Sequence, residues 1–570
     1  MENITIVEPR ATVEVHLPDS RVLSGPRGAA VGDFLKVIEA TADPIVGAVI
    51  NGELRELVAP IQMDARVRPI TMSSTDGAQI YRRSLTFLLE SAFETLFPNA
   101  LLTIDHSVSF GAYFCRVGNH PPLTEEDLQQ LTRAMQTLVQ ANRPILRRQI
   151  PLNEAIEHFE RIGHTDKVRL LAHRQKDYLT LYELDGHKDY HHGYMVPSTG
   201  YLRWFGLALA EGGFILRFPR RKAPTLIESE PPQYPKLLRA FRQYGDWLET
   251  LGIDSVGALN DAVKNGRTGE LILVSEALQE RHIAEIAAQI AARRQQVRMI
   301  LIAGPSSSGK TTFSKRLAVQ LLAQGISPFP LEMDNYFVDR EHTPRDENGD
   351  FDFEAFDALN YRRLQQDLQA LIAGDAVQLP HFNFRLGASE PGETVQLKPG
   401  QMLILEGIHG MNPRLLGNIP SSRAFRVYIS ALTQLNLDRH NRISTTDTRL
   451  LRRIVRDARE RGYSARDTIA RWESVRRGEK RNIFPYQENA DVMFNSALVY
   501  ELSAIKQIAE PLLRQVSYGT PEHIEAKRLL ALLEWFVPIS SDLIPDNSIL
   551  REFLGSSILK NFRLWKNGTE

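Results

Sequence analysis

The chain has 570 residues, 68 Lys and Arg against 69 Asp and Glu, one cysteine and 43% hydrophobic residues. Its length calls for roughly three to four domains, and its ordinary apolar and charged fractions exclude wholesale disorder. A formal charge of -1 removes any global pull toward nucleic acid or anionic membrane, and a lone Cys115 leaves no intrachain disulfide or cysteine-rich zinc site. The start, MENITIVEPR, lacks an apolar signal core, and no window approaches the roughly 18 apolar residues of a membrane span. A soluble cytoplasmic protein without a membrane partner is expected.

Residues 1–75 read as a small β-rich unit. Thr12 to Leu17 alternates, Pro18-Asp19-Ser20 turns the chain, and Ala48-Val49-Ile50 runs into the hairpin signal Asn51-Gly52. Residues 76–220 mix helices and strands. There Thr124 with Asp127 reads as a helix start, followed by Leu128, Leu131, Met135 and Leu138 on one face. Residues 221–295 join a proline- and charge-rich linker (221–235) to a mainly helical segment. Within the second region, Cys115 reads as a core thiol. His187, His191 and His192 lie in a stretch, 185–194, without helical signal, and read as loop histidines in solvent or in ordinary acceptor contacts.

From residue 296 the texture changes. Short apolar runs alternate with helical patterns up to about 520, which predicts an α/β domain with a parallel sheet and crossover helices. Residues 299–303 and 402–405 are its clearest strands. The tail, 521–570, carries Leu529, Leu530, Leu533 and Phe536 on a helix expected to dock on the body.

The sharpest motif is Gly304-Pro305-Ser306-Ser307-Ser308-Gly309-Lys310-Thr311, followed by Thr312: a GxxxxGK[ST] loop between a strand and a helix. Its glycines let backbone N–H groups turn inward around phosphates at a helix N-terminus. Lys310 is placed to neutralise β- and γ-phosphate charge, and the Thr311 hydroxyl to ligate Mg2+. Phosphoryl transfer from ATP also needs a metal-orienting carboxylate and a group for the acceptor's proton. Asp334, where a strand-like run ends, is the candidate base; Glu406, ending Leu403-Ile404-Leu405, is the candidate second magnesium group.

Two charge runs accompany the loop. Residues 449–481 hold eleven Arg and one Lys against five acids; residues 332–357 hold ten acids and two Arg. The basic run is either a solvated face or a mobile lid whose arginines clamp phosphates, and the phosphate loop favours the lid. Most of the acids read as solvated or paired, with a few left to bind a polyhydroxylated acceptor.

Residues 298–500 together resemble the uridine kinase and phosphoribulokinase family of P-loop kinases. The similarity rests on GPSSSGKTT, MDNYF, FDFEAFD, VQLPHFNF, ILEGIH and DTRLLRRIVRDARERG. It implies ATP-dependent phosphorylation of a nucleoside 5′-hydroxyl, with Asp334 as base. Asp352 would hold sugar hydroxyls, Tyr336 and Phe382 would line the acceptor site, and Arg453, Arg456 and Arg461 would act from the lid. Phe382 stands where uridine kinases carry Tyr, and Leu386-Gly387-Ala388 offers no His. Tyr463 replaces an expected Arg. Uracil recognition is thus weakened.

Residues 1–75 resemble a TGS (β-grasp) domain, notably in Ile50-Asn51-Gly52-Glu53-Leu54. Residues 76–215 are similar to the α+β, editing-related second domain of threonyl-tRNA synthetase, through YRRSLTFLL and FGAYF. The synthetase's first H-x-x-x-H is here Arg83 and Phe87, and its later Cys and His fall near His191 and Met195. This half is therefore expected to be a binding or regulatory module, for RNA or a small ligand, rather than an editing enzyme. The leading expectation is a uridine/cytidine-like nucleoside kinase. A kinase for another sugar or phosphorylated metabolite, an ATP-switched RNA-binding regulator, and a homo-oligomer all stay open.

Overall fold

The computed structural model describes residues 8, 10–38, 42–108, 111–228, 235–347, 349–383 and 386–562. Residues 1–7, 9 and 39–41, the end of the proline-rich linker (229–234), 109–110 with Phe110, 348, 384–385 with Phe384, and 563–570 lie outside them. No described helix is long and apolar enough to cross a membrane.

The first sheet has five strands. Ala65–Thr71 lies centrally, parallel to Thr12–His16 and antiparallel to Ile45–Ile50, with Val22–Pro26 and Glu53–Arg55 at the edges. This is the β-grasp arrangement. The alternation at Val13 and Val15 points both into the core with Val67. Asn51 (φ 49) and Gly52 (φ 88) adopt the left-handed conformations that a two-residue hairpin turn demands.

The second region sets the long helix Thr75–Leu96 beside a four-stranded antiparallel sheet. Its order is Gly206–Ala210, Gly213–Arg217, Ala112–Gly118 and Leu101–Val108. Helix Glu125–Ala141 starts where Thr124 and Asp127 cap each other reciprocally, and it buries Leu128, Leu131 and Met135. Cys115 is fully buried in this core, and burial pushes its thiol up.

The stretch around His187 is not loop, which corrects the sequence expectation. Tyr178–Leu184 and His187–Tyr190 form a hairpin, turned by Asp185 (φ 47) and Gly186 (φ 90). The Asp-Gly pair is itself a hairpin signal, obscured by the polar residues that follow it. Nor is His187 or His191 solvated. His187 Nδ1 lies 2.8 Å from Glu94, His191 Nε2 lies 2.9 Å from Glu90, and buried Asp189 meets Lys167 at 2.9 Å and His440 at 2.6 Å.

Burial alone would drive His187 neutral, but hydrogen bonds to Glu90 and Glu94 win and raise its pKa to about 10. Since this lies above the ordinary 6.5, the stabilisation is complete below pH 6.5 and is lost as pH rises through about 10. His187→Asn is therefore expected to destabilise the chain most below pH 6.5, the gap to wild type narrowing toward pH 10 in urea unfolding. A gap that stays constant over that range contradicts this account.

Helices Pro235–Leu251, Val256–Lys264 and Thr268–Ala292 lead into a second five-stranded sheet. Its five strands, all parallel, run in the order Pro328–Glu332, Met402–Glu406, Met299–Ala303, Ala424–Ser430, Val492–Asn495. The central strand is buried on both sides, as parallel sheets require. Ile300 and Ile302 pack with Phe313, Leu317 and Leu321 of helix Lys310–Ala323; Met299 and Leu301 pack with Leu364 and Leu368 of helix Tyr361–Ala373. Helix Pro521–Leu533 buries Leu529 and Leu533 in the first of these cores, which also takes Phe536.

Candidate active site

The phosphate loop leaves the central strand at Gly304, where a side chain would collide with the Ile429 carbonyl. Ser307 (φ 58) and Gly309 (φ 86) curl the backbone before helix Lys310–Ala323 begins. Lys310 Nζ lies across the loop on the Pro305 carbonyl at 3.2 Å, and the Thr311 hydroxyl donates to Glu406 Oε1 at 2.8 Å. The two residues singled out for magnesium thus meet. Both are hard oxygen donors, a set that suits Mg2+.

Two carboxylates that sequence reasoning missed occupy loop N–H groups. Ser306 N–H donates to Glu479 at 2.9 Å, and Thr312 N–H donates to Glu552 at 3.0 Å. Arg449 pairs with Glu479 and also donates to the Ser306 carbonyl at 2.8 Å. Arg452, fully buried, binds Glu501, Ser496 and the Ser307 carbonyl. These two arginines are struts beneath the loop rather than free phosphate clamps. Their burial follows from the strong amphipathicity of helix Thr445–Glu460.

The other arginines of that helix sit nearer the opening. Arg453 donates to Ser306 Oγ at 2.8 Å, and Arg453, Arg456 and Arg461 all converge on buried Asp457. The two charge runs of the sequence face each other: Arg477 meets Asp346 at 3.0 Å, and Arg481 meets Glu347 at 2.8 Å and Asp352 at 3.5 Å.

Asp334 lies in a single 3-10 turn, Met333–Tyr336, directly after its strand. Its side chain reaches solvent, yet crowding by protein raises its pKa, with Glu332 adding and Lys310 and Arg461 opposing. Glu406 is pushed up to about 7 by burial; Lys310 opposes this and Glu552 adds to it. Glu354 is likewise pushed up to about 7 by burial and by Glu479, and its Oε2 is buried without a donor among the described residues. This carboxylate lies within electrostatic range of Glu479, Arg453, Lys310 and Asp334. The signal for Glu354 was present in FDFEAFD, but nothing in that segment separates it from Asp352.

On the acceptor side, the Tyr336 hydroxyl is held by Asp367 at 2.9 Å, and the ring is buried. It is Phe337 that meets Phe382, edge-on, at 5.7 Å. His409 is buried edge-on to Phe356, with its pKa lowered to about 4 by burial.

Glu552 holds a backbone N–H at the helix N-terminus where a nucleotide phosphate is expected to sit. Glu552→Gln is therefore expected to lower the KM for ATP roughly two- to fivefold, in line with one charge at such a position. An unchanged KM would show that this carboxylate leaves when nucleotide binds at no measurable cost.

A parallel sheet of this order, with the loop after its central strand and a hydroxyl–carboxylate pair beside it, is the arrangement of a P-loop nucleotide-binding domain. Residues 299–503 match the phosphoribulokinase/uridine kinase family. The amino-terminal part is similar to threonine–tRNA ligases: 33% identical over 204 residues to that of Burkholderia lata, and 32% over 203 residues to that of Geobacter sp. (strain M21). Each match covers 35% of this chain and 32% of the relative, so the chain spans about a third of the length of these curated relatives. Among solved structures, a candidate fructose transport system kinase from Silicibacter sp. TM1040 is 19% identical, covering 37% of this chain and 98% of that one, with a TM-score of 0.28. A D-glycerate 3-kinase from Cryptococcus neoformans is 15% identical, covering 46% and 89%, with a TM-score of 0.20.

The synthetase-like positions also meet in space. Arg83 donates to the Tyr194 carbonyl at 2.7 Å, Phe87 packs edge-on to His191, and Met195 is buried.

Proposed function

We propose that the chain is an ATP- and magnesium-dependent kinase that phosphorylates the 5′-hydroxyl of a nucleoside. The observation that carries this is the meeting of Lys310, Thr311 and Glu406 at the loop with a carboxylate, Asp334, outside the same edge of the sheet. Residues 304–312 would cradle the triphosphate, with Lys310 against its β- and γ-oxygens. Thr311 and Glu406 would hold Mg2+, which supplies charge neutralisation between phosphates. Asp334 would accept the proton of the acceptor hydroxyl, while Asp352 and Glu354 take its remaining hydroxyls. Arg453, Arg456 and Arg461 would turn from Asp457 to the transferred phosphoryl group.

One observation favours a second acceptor class. Phe382, buried edge-on to Phe337 where uridine kinases carry Tyr, has no hydrogen-bonding side-chain group, so another sugar or a phosphorylated metabolite is the alternative. For the amino-terminal half we propose a binding or regulatory module without editing chemistry, supported by Arg83 and Phe87 in place of the two histidines. ADP release from ATP–Mg2+ across a panel of nucleosides and sugars tests both readings, with Asp334→Ala as control. ADP release that no acceptor stimulates and that Asp334→Ala leaves unchanged would refute the kinase and favour an ATP-driven switch.

A further inference from the structure

A cavity of about 510 Å3 lies away from the phosphate loop. Its walls come from four helices, Thr75–Leu96 of the synthetase-like region, Thr445–Glu460, Ala465–Asn482 and Pro521–Leu533, together with the segment 437–444, which carries Arg442, and the strand residue Tyr113. That volume is in the range of sites for small organic ligands.

The charges in its walls are unevenly answered. At one end Arg528 is gripped by Asp447, at 2.7 and 2.9 Å, and by Glu525, and Asp76 lies within reach of the same charges. Glu473 is taken by Arg221 at 2.6 Å and by the Thr75 hydroxyl. Arg82, Arg442 and Arg476 are left with no carboxylate ion pair among the described residues. Arg82 lies instead over the Phe218 ring, 4.5 Å from its centre, and Arg442 over Tyr113 at 5.2 Å.

Three buried polar atoms of the cavity-lining residues have no hydrogen-bond partner among the described residues: Arg82 Nε, Arg442 Nε and Trp472 Nε1. All three are donors, so what is missing is an acceptor. Electrostatics agree. Burial lowers the pKa of Arg82 and Arg476; for Arg82 the nearby Arg476, Arg442 and Arg221 deepen the effect, while for Arg476 acids led by Glu473 oppose it. Lys480, nearby on the surface, is pushed down to about 8 by burial and by Arg476.

We propose that this cavity is a second binding site, separate from the phosphate loop, for a small phosphorylated ligand of nucleotide size, with Arg82, Arg442 and Arg476 taking the phosphate. Planar guanidinium groups match phosphate oxygens pairwise, and the acids around Arg528 suit hydroxyl or amino donors at the ligand's other end. The site stands on these walls alone and does not depend on which acceptor the kinase uses. It shares its helices with the phosphate loop, since Arg449, Arg453 and Glu479 reach Ser306 from the same two helices.

The test uses the full chain carrying Lys310→Ala, which weakens phosphate binding at the loop. Titration calorimetry with inorganic pyrophosphate, AMP and UMP is expected to show one site for at least one of them, with a Kd below about 1 mM. Arg82→Gln with Arg476→Gln is expected to weaken that binding at least about tenfold, as loss of charge-assisted contacts should. The same pair of changes should leave the ligand-free melting temperature unchanged or raised, because like charges have been removed. Three results overturn the proposal: no binding of any probe at several times that concentration, binding indifferent to the two substitutions, or a melting temperature lowered by them, which would make the arginines structural.

Discussion

Lys310→Ala is expected to reduce kcat/KM for ATP turnover by about 10²–10³-fold or more, the usual cost of removing one preorganised group from a developing charge. Lys310 opens the helix at the loop, and its Nζ already lies within the cradle, 3.2 Å from the Pro305 carbonyl. It is also the cation that most favours ionised Asp334 and Glu406, both of which burial drives toward protonation. Its loss would remove the proposed γ-phosphate contact and let these carboxylates pick up protons, so rate and magnesium dependence should suffer together. A coupled ADP assay over a range of Mg2+ concentrations, with circular dichroism to verify folding, checks this. Activity within a few-fold of wild type would exclude the loop as the phosphate site.

Asp334→Asn should lower kcat by about 10²–10⁴-fold, the range for a lost general base, while leaving the KM for ATP nearly unchanged. Asparagine preserves the shape of the turn after the Pro328–Glu332 strand and removes only the proposed proton acceptor. The split between kcat and KM matters, because a merely structural carboxylate would alter both or neither. If acceptor phosphorylation continues at the wild-type rate, Asp334 is not the base, and Glu354, with its unpartnered Oε2, becomes the next group to change.

The architecture was legible where a local pattern carries it. Five apolar residues, a glycine-bounded loop and a helical stripe at Phe313, Leu317 and Leu321 announce a strand, cradle and helix without help from the rest of the chain. Glu406 was legible because it ends a buried run, and a parallel sheet presents such ends to one edge. Asn51-Gly52 specified its hairpin by backbone conformation alone. By contrast, Glu479 and Glu552 reach the loop from 173 and 240 residues away, and neither stands in a distinctive local setting. Arg449 and Arg452 look in sequence like Arg453 and Arg456; only the packed face of their helix makes two into struts and leaves the others near the opening.

The near-cancellation of charge follows the same division. Sequence by itself determined that a basic run and an acidic run exist, that a phosphate cradle is present, and which strands flank it, because these depend on residue type and short-range periodicity. Only the tertiary structure decided which charges meet. It set Arg477 against Asp346, buried Lys167 between Asp189 and Asp438, and left Arg82, Arg442 and Arg476 around a cavity with no close carboxylate ion pair among the described residues. The physical reason is that Coulomb and hydrogen-bond energies act over a few ångströms of space, and the fold alone determines which distant residues come within that range.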